Sequence, residues 1–261
     1  MKTNKNIPFY IHDLGGDAFD AVKDTLNSTF LTTGPKTKMF EEQYAELFGV
    51  KHAVGISSCT LGLYISLKAL GVGPGDEVIT TPMTFISTPN AILYTGAKPV
   101  FVDVEPETGN LDGNLIENAI TKNTKAIIPV HLYGQMCDMR AISRIANQYN
   151  LAIIEDCAHA IESERDGVRP GQLSDTAVFS FYATKNMTCG EGGAIITNSD
   201  TLYDLLQKYR LHGMSKNAID RYSKLYKHWD MVLLGHKCNM NDLQASILLT
   251  QIPYIKERLE K

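Results

Sequence analysis

Asp156, Lys185 and the hydroxyls of Ser58, Thr60 and Ser180 stand where short apolar runs of this sequence end. A carboxylate, an amine and a set of hydroxyls at such places can hold a phosphorylated aldehyde and react with it. Asp156 closes the run LAIIE, so its carboxylate belongs at the end of a buried strand, where it needs a cation or strong donors to stay ionised. A protonated pyridine nitrogen is such a partner. An N-cap for a helix beginning near Cys157 is the alternative. Lys185 follows AVFSFYAT and precedes NMTCGEGG, whose glycines let backbone pack close. A desolvated lysine has a lowered pKa and becomes a nucleophile toward aldehydes, whereas a lone lysine is ordinarily solvated. Ser58-Cys59-Thr60 precedes the apolar run TLGLYISLKALG, and a helix N-terminus there would offer N–H groups to a phosphate, although Ser and Thr caps are common. Phe85, just after DEVITT, is either a flat partner for an aromatic ring or a core phenylalanine.

Bringing these residues together requires strand ends gathered at one edge. Seven β-rich runs qualify: 52–57, 76–81, 98–104, 125–131, 151–156, 177–181 and 194–197. Amphipathic stretches at 17–28, 38–49, 60–71, 138–150 and 201–213 read as helices. The alternation predicts an α/β fold, a three-layer sandwich with a mostly parallel central sheet between helices. In such sheets ligands bind outside the carboxyl ends of the strands, which singles out Ser57 to Thr60, Thr84-Phe85, His131, Asp156 with His159, and Ser180 to Lys185. GEGGAIIT predicts a strand entered through a glycine turn, which allows it to run antiparallel to its neighbours. Residues 214–235 read as a long loop or hairpin. From Asn241 an amphipathic helix, interrupted at Pro253, carries an apolar stripe (Leu243, Ile247, Leu248, Ile252, Ile255) that needs cover.

Here the motifs resemble a family. VGISSCTLGLYISLKALGVGPGDEVITTPMTFIST, KPVFVDVEPETGNLD, IIPVHLYGQMCDM, IIEDCAHAI and FSFYATKNMTCGEGGAIIT follow the order and spacing of the DegT/DnrJ/EryC1/StrS sugar aminotransferases, of the aspartate aminotransferase fold (fold type I). Among its members the chain is similar to those making UDP-4-amino-4-deoxy-L-arabinose. The resemblance implies pyridoxal 5′-phosphate as cofactor, Lys185 as the Schiff-base lysine and Asp156 as partner of the ring nitrogen. It places His159 near the ring hydroxyl, Phe85 on the ring face, and Thr60, the Leu61 N–H and Ser180 at the phosphate. It also implies a homodimer with shared active sites, in which Lys237 and Asn239 reach the partner's site. The substrates implied are a nucleotide-linked keto-sugar and an amino-acid donor, glutamate in most relatives, serving polysaccharide or lipopolysaccharide synthesis. Residues 1–240 would form the large, cofactor-binding domain. Residues 241–261 would begin the helix leading to a C-terminal small domain that these 261 residues do not contain. Cys59 and Leu61 replace the small residues common in the phosphate loop, and His236-Lys237-Cys238-Asn239 replaces the commoner Tyr-Asn-Tyr-Arg.

Composition narrows the alternatives. Hydrophobic residues are 44%, charged residues 21% and the net charge is -4, which leaves no broad basic field for nucleic acid or an anionic membrane. The five cysteines form no Cys-x-x-Cys pair, and Cys157 with His159 makes a poor metal site, so no metal is expected. No apolar run is long enough to span a bilayer and the start lacks a secretory h-region, which predicts a soluble cytoplasmic protein. The absence of G-x-x-x-x-G-K-[ST] and G-x-G-x-x-G argues against nucleotide triphosphates and against a short-chain oxidoreductase. Two alternatives remain: a sugar dehydratase of the same family, which carries histidine where Lys185 stands, and a non-catalytic binding or regulatory homologue.

Overall fold

All seven apolar runs form strands. In chain order the computed structural model comprises α1 (Asp17–Leu26), α2 (Pro35–Phe48), β1 (His52–Ile56), α3 (Cys59–Ala69), β2 (Glu77–Thr80), α4 (Ser87–Tyr94), β3 (Lys98–Phe101) and α5 (Gly113–Ala119). There follow β4 (Thr124–Ile128), α6 (Met139–Tyr149), β5 (Ala152–Asp156), β6 (Thr176–Ser180), β7 (Gly193–Thr197), α7 (Asp200–Tyr209) and α8 (Asp242–Leu249). The structure describes residues 7–215, 230–255 and 257. Most of the stretch read as a loop or hairpin, 216–229, and the last residues of the C-terminal helix lie outside them. The short helices α4 and α5 carry too few turns for a readable stripe, and the sequence did not single them out.

The strands form one sheet in the order β1-β7-β6-β5-β4-β2-β3. β2, β3, β4, β5 and β6 run parallel, while β7 lies antiparallel between β1 and β6, as the glycine turn allowed. The two-residue period of each strand sends alternate side chains to opposite faces. Val54, Ile56, Val78, Ile128, Ile154, Val178 and Ile195 pack with Leu63, Ile65 and Leu67 of α3, Ile92 of α4 and Leu206 of α7. On the other face Ala177, Phe179, Ala194 and Ile196 meet Phe40, Tyr44 and Phe48 of α2. Further along that face Ile79, Ile127 and Ile153 meet Ile116 of α5 and Ile142 of α6. This is the three-layer sandwich the alternation implied.

Part of the stripe from Asn241 finds its cover inside this body, while Leu243 and Ile247 stay half-buried. Leu248 and Ile255 are buried in the cluster of Phe40 and Tyr44, with Ile252 packed against it. The helix stops before Pro253, which sits in a 3₁₀ turn. Asp242 ties α8 to α2: its Oδ1 accepts from the N–H groups of Gly34 (2.8 Å) and Thr37 (2.9 Å) and from the Thr37 hydroxyl (2.7 Å). Among the described residues no helix is long and apolar enough to cross a membrane.

Candidate active site

The parallel strands end at one edge, and helices α3 and α4 start there. Ser58 caps α3, its Oγ accepting from the N–H of Leu61 at 3.3 Å. α3 sits close to the sheet because Gly193 opens β7. A Cβ at Gly193 would lie 2.7 Å from Phe179 O and 2.8 Å from Cys59 N, so any other residue pushes the N-terminus of α3 away.

These ends enclose a cavity of about 580 Å³ lined by Thr60, Phe85, Asp156, His159, Ser180 and Lys185, with Ser58, Cys59, Thr84 and His131 among the other wall residues. That size suits a small cofactor with part of a substrate. Six of the nine residues named from the sequence therefore converge on one space. Three do not line it. Leu61 lies outside, and its N–H is taken by Ser58 Oγ. Lys237 and Asn239 run beside the end of β1, where Ser57 N–H donates to Cys238 O at 2.7 Å. There Asn239 Nδ2 donates to Thr33 Oγ1 at 2.6 Å, and Lys237 Nζ donates to Asn239 Oδ1.

Asp156 is 4% exposed and lines the cavity. No helix begins after it; Ala158 N–H donates to its Oδ1 at 3.1 Å in a tight turn, which removes the capping alternative. Thr88 Oγ1 donates to Oδ2 at 2.7 Å, and the Cys59 thiol lies 3.9 Å from Oδ1. All three donors are neutral. Among the described residues no cation lies within 4.0 Å of this carboxylate. Its charge is thus held by hydrogen bonds and by the nearby N-termini of α3 and α4, while a place for a positive partner is left on the cavity side.

Lys185 sits in the turn after β6, its N–H donating to Tyr182 O at 2.9 Å. Burial lowers the pKa of its ammonium, opposed in part by Cys59 and Asp156. A larger fraction of neutral amine follows, as a nucleophile toward an aldehyde needs. His159 is also shifted down, first by burial and then by Lys185, against the pull of Asp156. Its ring stacks on Tyr133 with centroids 5.8 Å apart and planes 13° off parallel. Phe85 is 76% exposed at the cavity wall, so it is not a core residue and its ring face is open to a ligand. Ser180 Oγ accepts from Tyr182 N–H at 3.3 Å, which leaves its proton for another acceptor.

A phosphorylated pyridine aldehyde fits this set: a helix N-terminus with Thr60 and Ser180 hydroxyls for the phosphate, an unpaired buried carboxylate for a ring N–H, and an amine of lowered proton affinity for the aldehyde. The sequence reading missed Thr88, Tyr133 and Glu155. Thr88 was detectable only as a hydroxyl four residues after Thr84, a spacing that places both on one side of a helix start. Tyr133 stands in a left-handed turn (φ 52°) that nothing in its residue type signals. Cys157 does not pair with His159. It is buried with His131 and Glu155, their donor atoms within 4.8 Å of one another. Glu155 is already engaged by Gly171 N–H, the Ser174 hydroxyl and His131 Nε2, so this trio reads as a hydrogen-bonded network.

Comparison with known proteins places the chain in a family. Residues 12–261 match the model of the DegT/DnrJ/EryC1/StrS aminotransferase family. The spore coat polysaccharide biosynthesis protein SpsC of Bacillus subtilis is 45% identical over 253 residues, covering 97% of this chain and 65% of that protein. The chain thus spans just under two thirds of that curated relative's length. Spr1654 of Streptococcus pneumoniae, assigned as a sugar aminotransferase and solved in its PMP-form, superposes with a TM-score of 0.90 at 35% identity, covering 98% of this chain and 69% of that one. PseC of Helicobacter pylori, an aminotransferase involved in the biosynthesis of pseudoaminic acid, does so with a TM-score of 0.89 at 31% identity, covering 97% and 67%. Motif order, fold and cavity concur: the chain belongs to the DegT/DnrJ/EryC1/StrS aminotransferase family.

Proposed function

We propose that this chain carries the cofactor-binding body of a pyridoxal 5′-phosphate-dependent aminotransferase that moves an amino group from an amino acid, glutamate by preference, onto a nucleotide-linked keto-sugar. One observation carries the reading: a buried carboxylate with no ion-pair partner within 4.0 Å among the described residues, Asp156, shares a cavity with Lys185, an amine whose proton affinity burial has lowered. When bound, the cofactor supplies an aldehyde that takes up amino groups and a protonated ring that accepts electron density. Asp156 holds the proton on the ring nitrogen. Lys185 Nζ is the group that would hold the aldehyde carbon, and once free it would carry protons on Nζ. Thr60 and Ser180 donate to the phosphate, Phe85 covers one ring face, and His159 stands at the ring hydroxyl. Leu61 N–H would join the phosphate donors by giving up Ser58 Oγ.

Lys237 and Asn239 run beside the end of β1 and do not line their own chain's cavity. That placement is compatible with their reaching a second subunit's cavity in a homodimer. A lysine at position 185 favours amino transfer over dehydration. The polysaccharide role of SpsC and the sugar chemistry of PseC support a keto-sugar acceptor destined for a cell-surface polymer.

The test is spectroscopic. Purified protein mixed with pyridoxal 5′-phosphate should develop a visible band that glutamate shifts to shorter wavelength. In a separate sample without glutamate, borohydride should fix a phosphopyridoxyl label on the peptide containing Lys185, and Lys185→Ala should abolish that label with the fold intact. A label on any other lysine overturns the assignment.

A further inference from the structure

Two threonines that the reaction itself does not use connect the cavity wall to Asp156. Thr88 is fully buried at the start of α4, and its hydroxyl is 2.7 Å from Asp156 Oδ2. A threonine in a helix can turn its hydroxyl back to a carbonyl one turn earlier. Here it points across to another element instead. The Thr84 hydroxyl lies 2.8 Å from that of Thr88, and Thr84 lines the cavity.

The direction of this chain follows from proton counting. An ionised carboxylate only accepts, so the single Thr88 proton goes to Asp156. Thr88 then has only lone pairs for Thr84, which must donate. The Thr84 proton is thereby committed, and the oxygen it shows to the cavity is an acceptor. Asp156 and Thr84 thus offer the ligand acceptors and no proton, an arrangement that rewards an N–H and penalises a bare lone pair there.

We infer that Thr88, with Thr84 behind it, is a positioning residue that locks the Asp156 carboxylate with its free lone pairs toward the cavity and so makes the site select a protonated ring nitrogen. The inference rests on the pyridoxal phosphate reading above. A hydroxyl on a charged group is worth more than a neutral hydrogen bond, so its removal changes selectivity by about tenfold or more. Packing against α4 is the competing role, and the two differ in what they require at position 88. Packing needs the shape of threonine, which valine keeps; locking needs the hydroxyl, which serine keeps.

The experiment titrates wild-type protein and the variants Thr88→Val, Thr88→Ser and Thr84→Val with two probes, following binding by absorbance and by quenching of intrinsic fluorescence. The probes are pyridoxal 5′-phosphate and its 1-deaza analogue, in which a carbon replaces the ring nitrogen. The ratio of the two dissociation constants cancels the phosphate and aldehyde contributions and reports the ring-nitrogen contact. Wild type should favour pyridoxal 5′-phosphate by tenfold or more. Thr88→Val should erase most of that preference, Thr88→Ser should retain it, and Thr84→Val should reduce it by a smaller factor. If Thr88→Val fails to fold, the contrast between wild type, Thr88→Ser and Thr84→Val decides: an unchanged ratio in Thr84→Val with a lost ratio in Thr88→Ser overturns the inference. A wild-type preference that survives in Thr88→Val also overturns it and leaves the cofactor reading standing. Equal binding of both probes by wild type overturns the two together.

Discussion

Glu155 and Asp156 are neighbours on β5, both buried, yet they live in opposite worlds. The strand period turns them to opposite faces. Glu155 meets three partners inside the fold: Gly171 N–H at 2.7 Å, the Ser174 hydroxyl, and His131 Nε2 at 2.7 Å. Because Cys137 N–H donates to His131 Nδ1, the imidazole proton sits on Nε2 and is given to Glu155. Every demand of that carboxylate is met by the chain. Asp156 is met only by neutral donors and faces the cavity. The first carboxylate holds loops to the sheet; the second turns its charge to the cavity. Glu41 repeats the first pattern, accepting from Arg210 and from Gly55 N–H beneath β1.

The comparison breaks most sharply at the ligand-facing member. Asp156→Asn should slow the glutamate-driven spectral change of the bound cofactor by about 10²- to 10³-fold. Its melting temperature should fall less than that of Glu155→Gln, because the Thr88 hydroxyl can turn to accept from the new amide while Ala158 N–H keeps its carbonyl acceptor. A variant that converts at the wild-type rate would make Asp156 a structural residue like its neighbour.

Glu155→Gln should show the reverse pattern. Whichever way the amide is turned, its NH₂ meets either His131 Nε2–H or the donors Gly171 N–H and Ser174, and Cys137 holds the imidazole against a change of tautomer. A loss on the order of 3 kcal/mol in chemical unfolding is expected, with cofactor affinity unchanged in the fraction that remains folded. Unchanged stability with lost cofactor affinity would show that Glu155 serves the cavity after all.

A third carboxylate sets the lower bound. Asp200 is exposed and its pKa is lowered, first by the hydrogen bond from His52 and then by Lys51. A depressed carboxylate contributes stability above its unfolded pKa and loses it as pH falls through the folded value. Asp200→Asn should therefore lower the melting temperature slightly at pH 7, and the gap to wild type should close below the ordinary aspartate range, near pH 4 and down. A gap that persists at pH 2 would point to lost packing instead of lost charge.

Much of this site was legible in the residues. Strand-end position named Asp156, Ser180 and Lys185, because an α/β sheet presents its strand ends to ligands and the sequence shows where apolar runs stop. The glycine-led entry to β7 was legible, and the packing at Gly193 shows why glycine stands there, since a Cβ would meet Phe179 O and Cys59 N. Thr88 was not legible. Its partner Asp156 is 68 residues away, and a threonine hydroxyl has no sequence signature that tells a back-bond from a bridge. The Glu155–His131 pair was hidden for the same reason: adjacent letters in the motif IIEDCAHA do not say which carboxylate turns inward.

The sequence by itself determined the layer order, the seven strands, the lysine and the aspartate, because periodicity, glycine turns and residue chemistry are local properties. The tertiary structure alone decided which carboxylate goes without a countercharge. It also decided which hydroxyl points at that carboxylate, and that Lys237 and Asn239 lie outside this chain's own cavity. Those are matters of distance between elements far apart in the chain, and only packing of the sheet against α3 and α4 sets them.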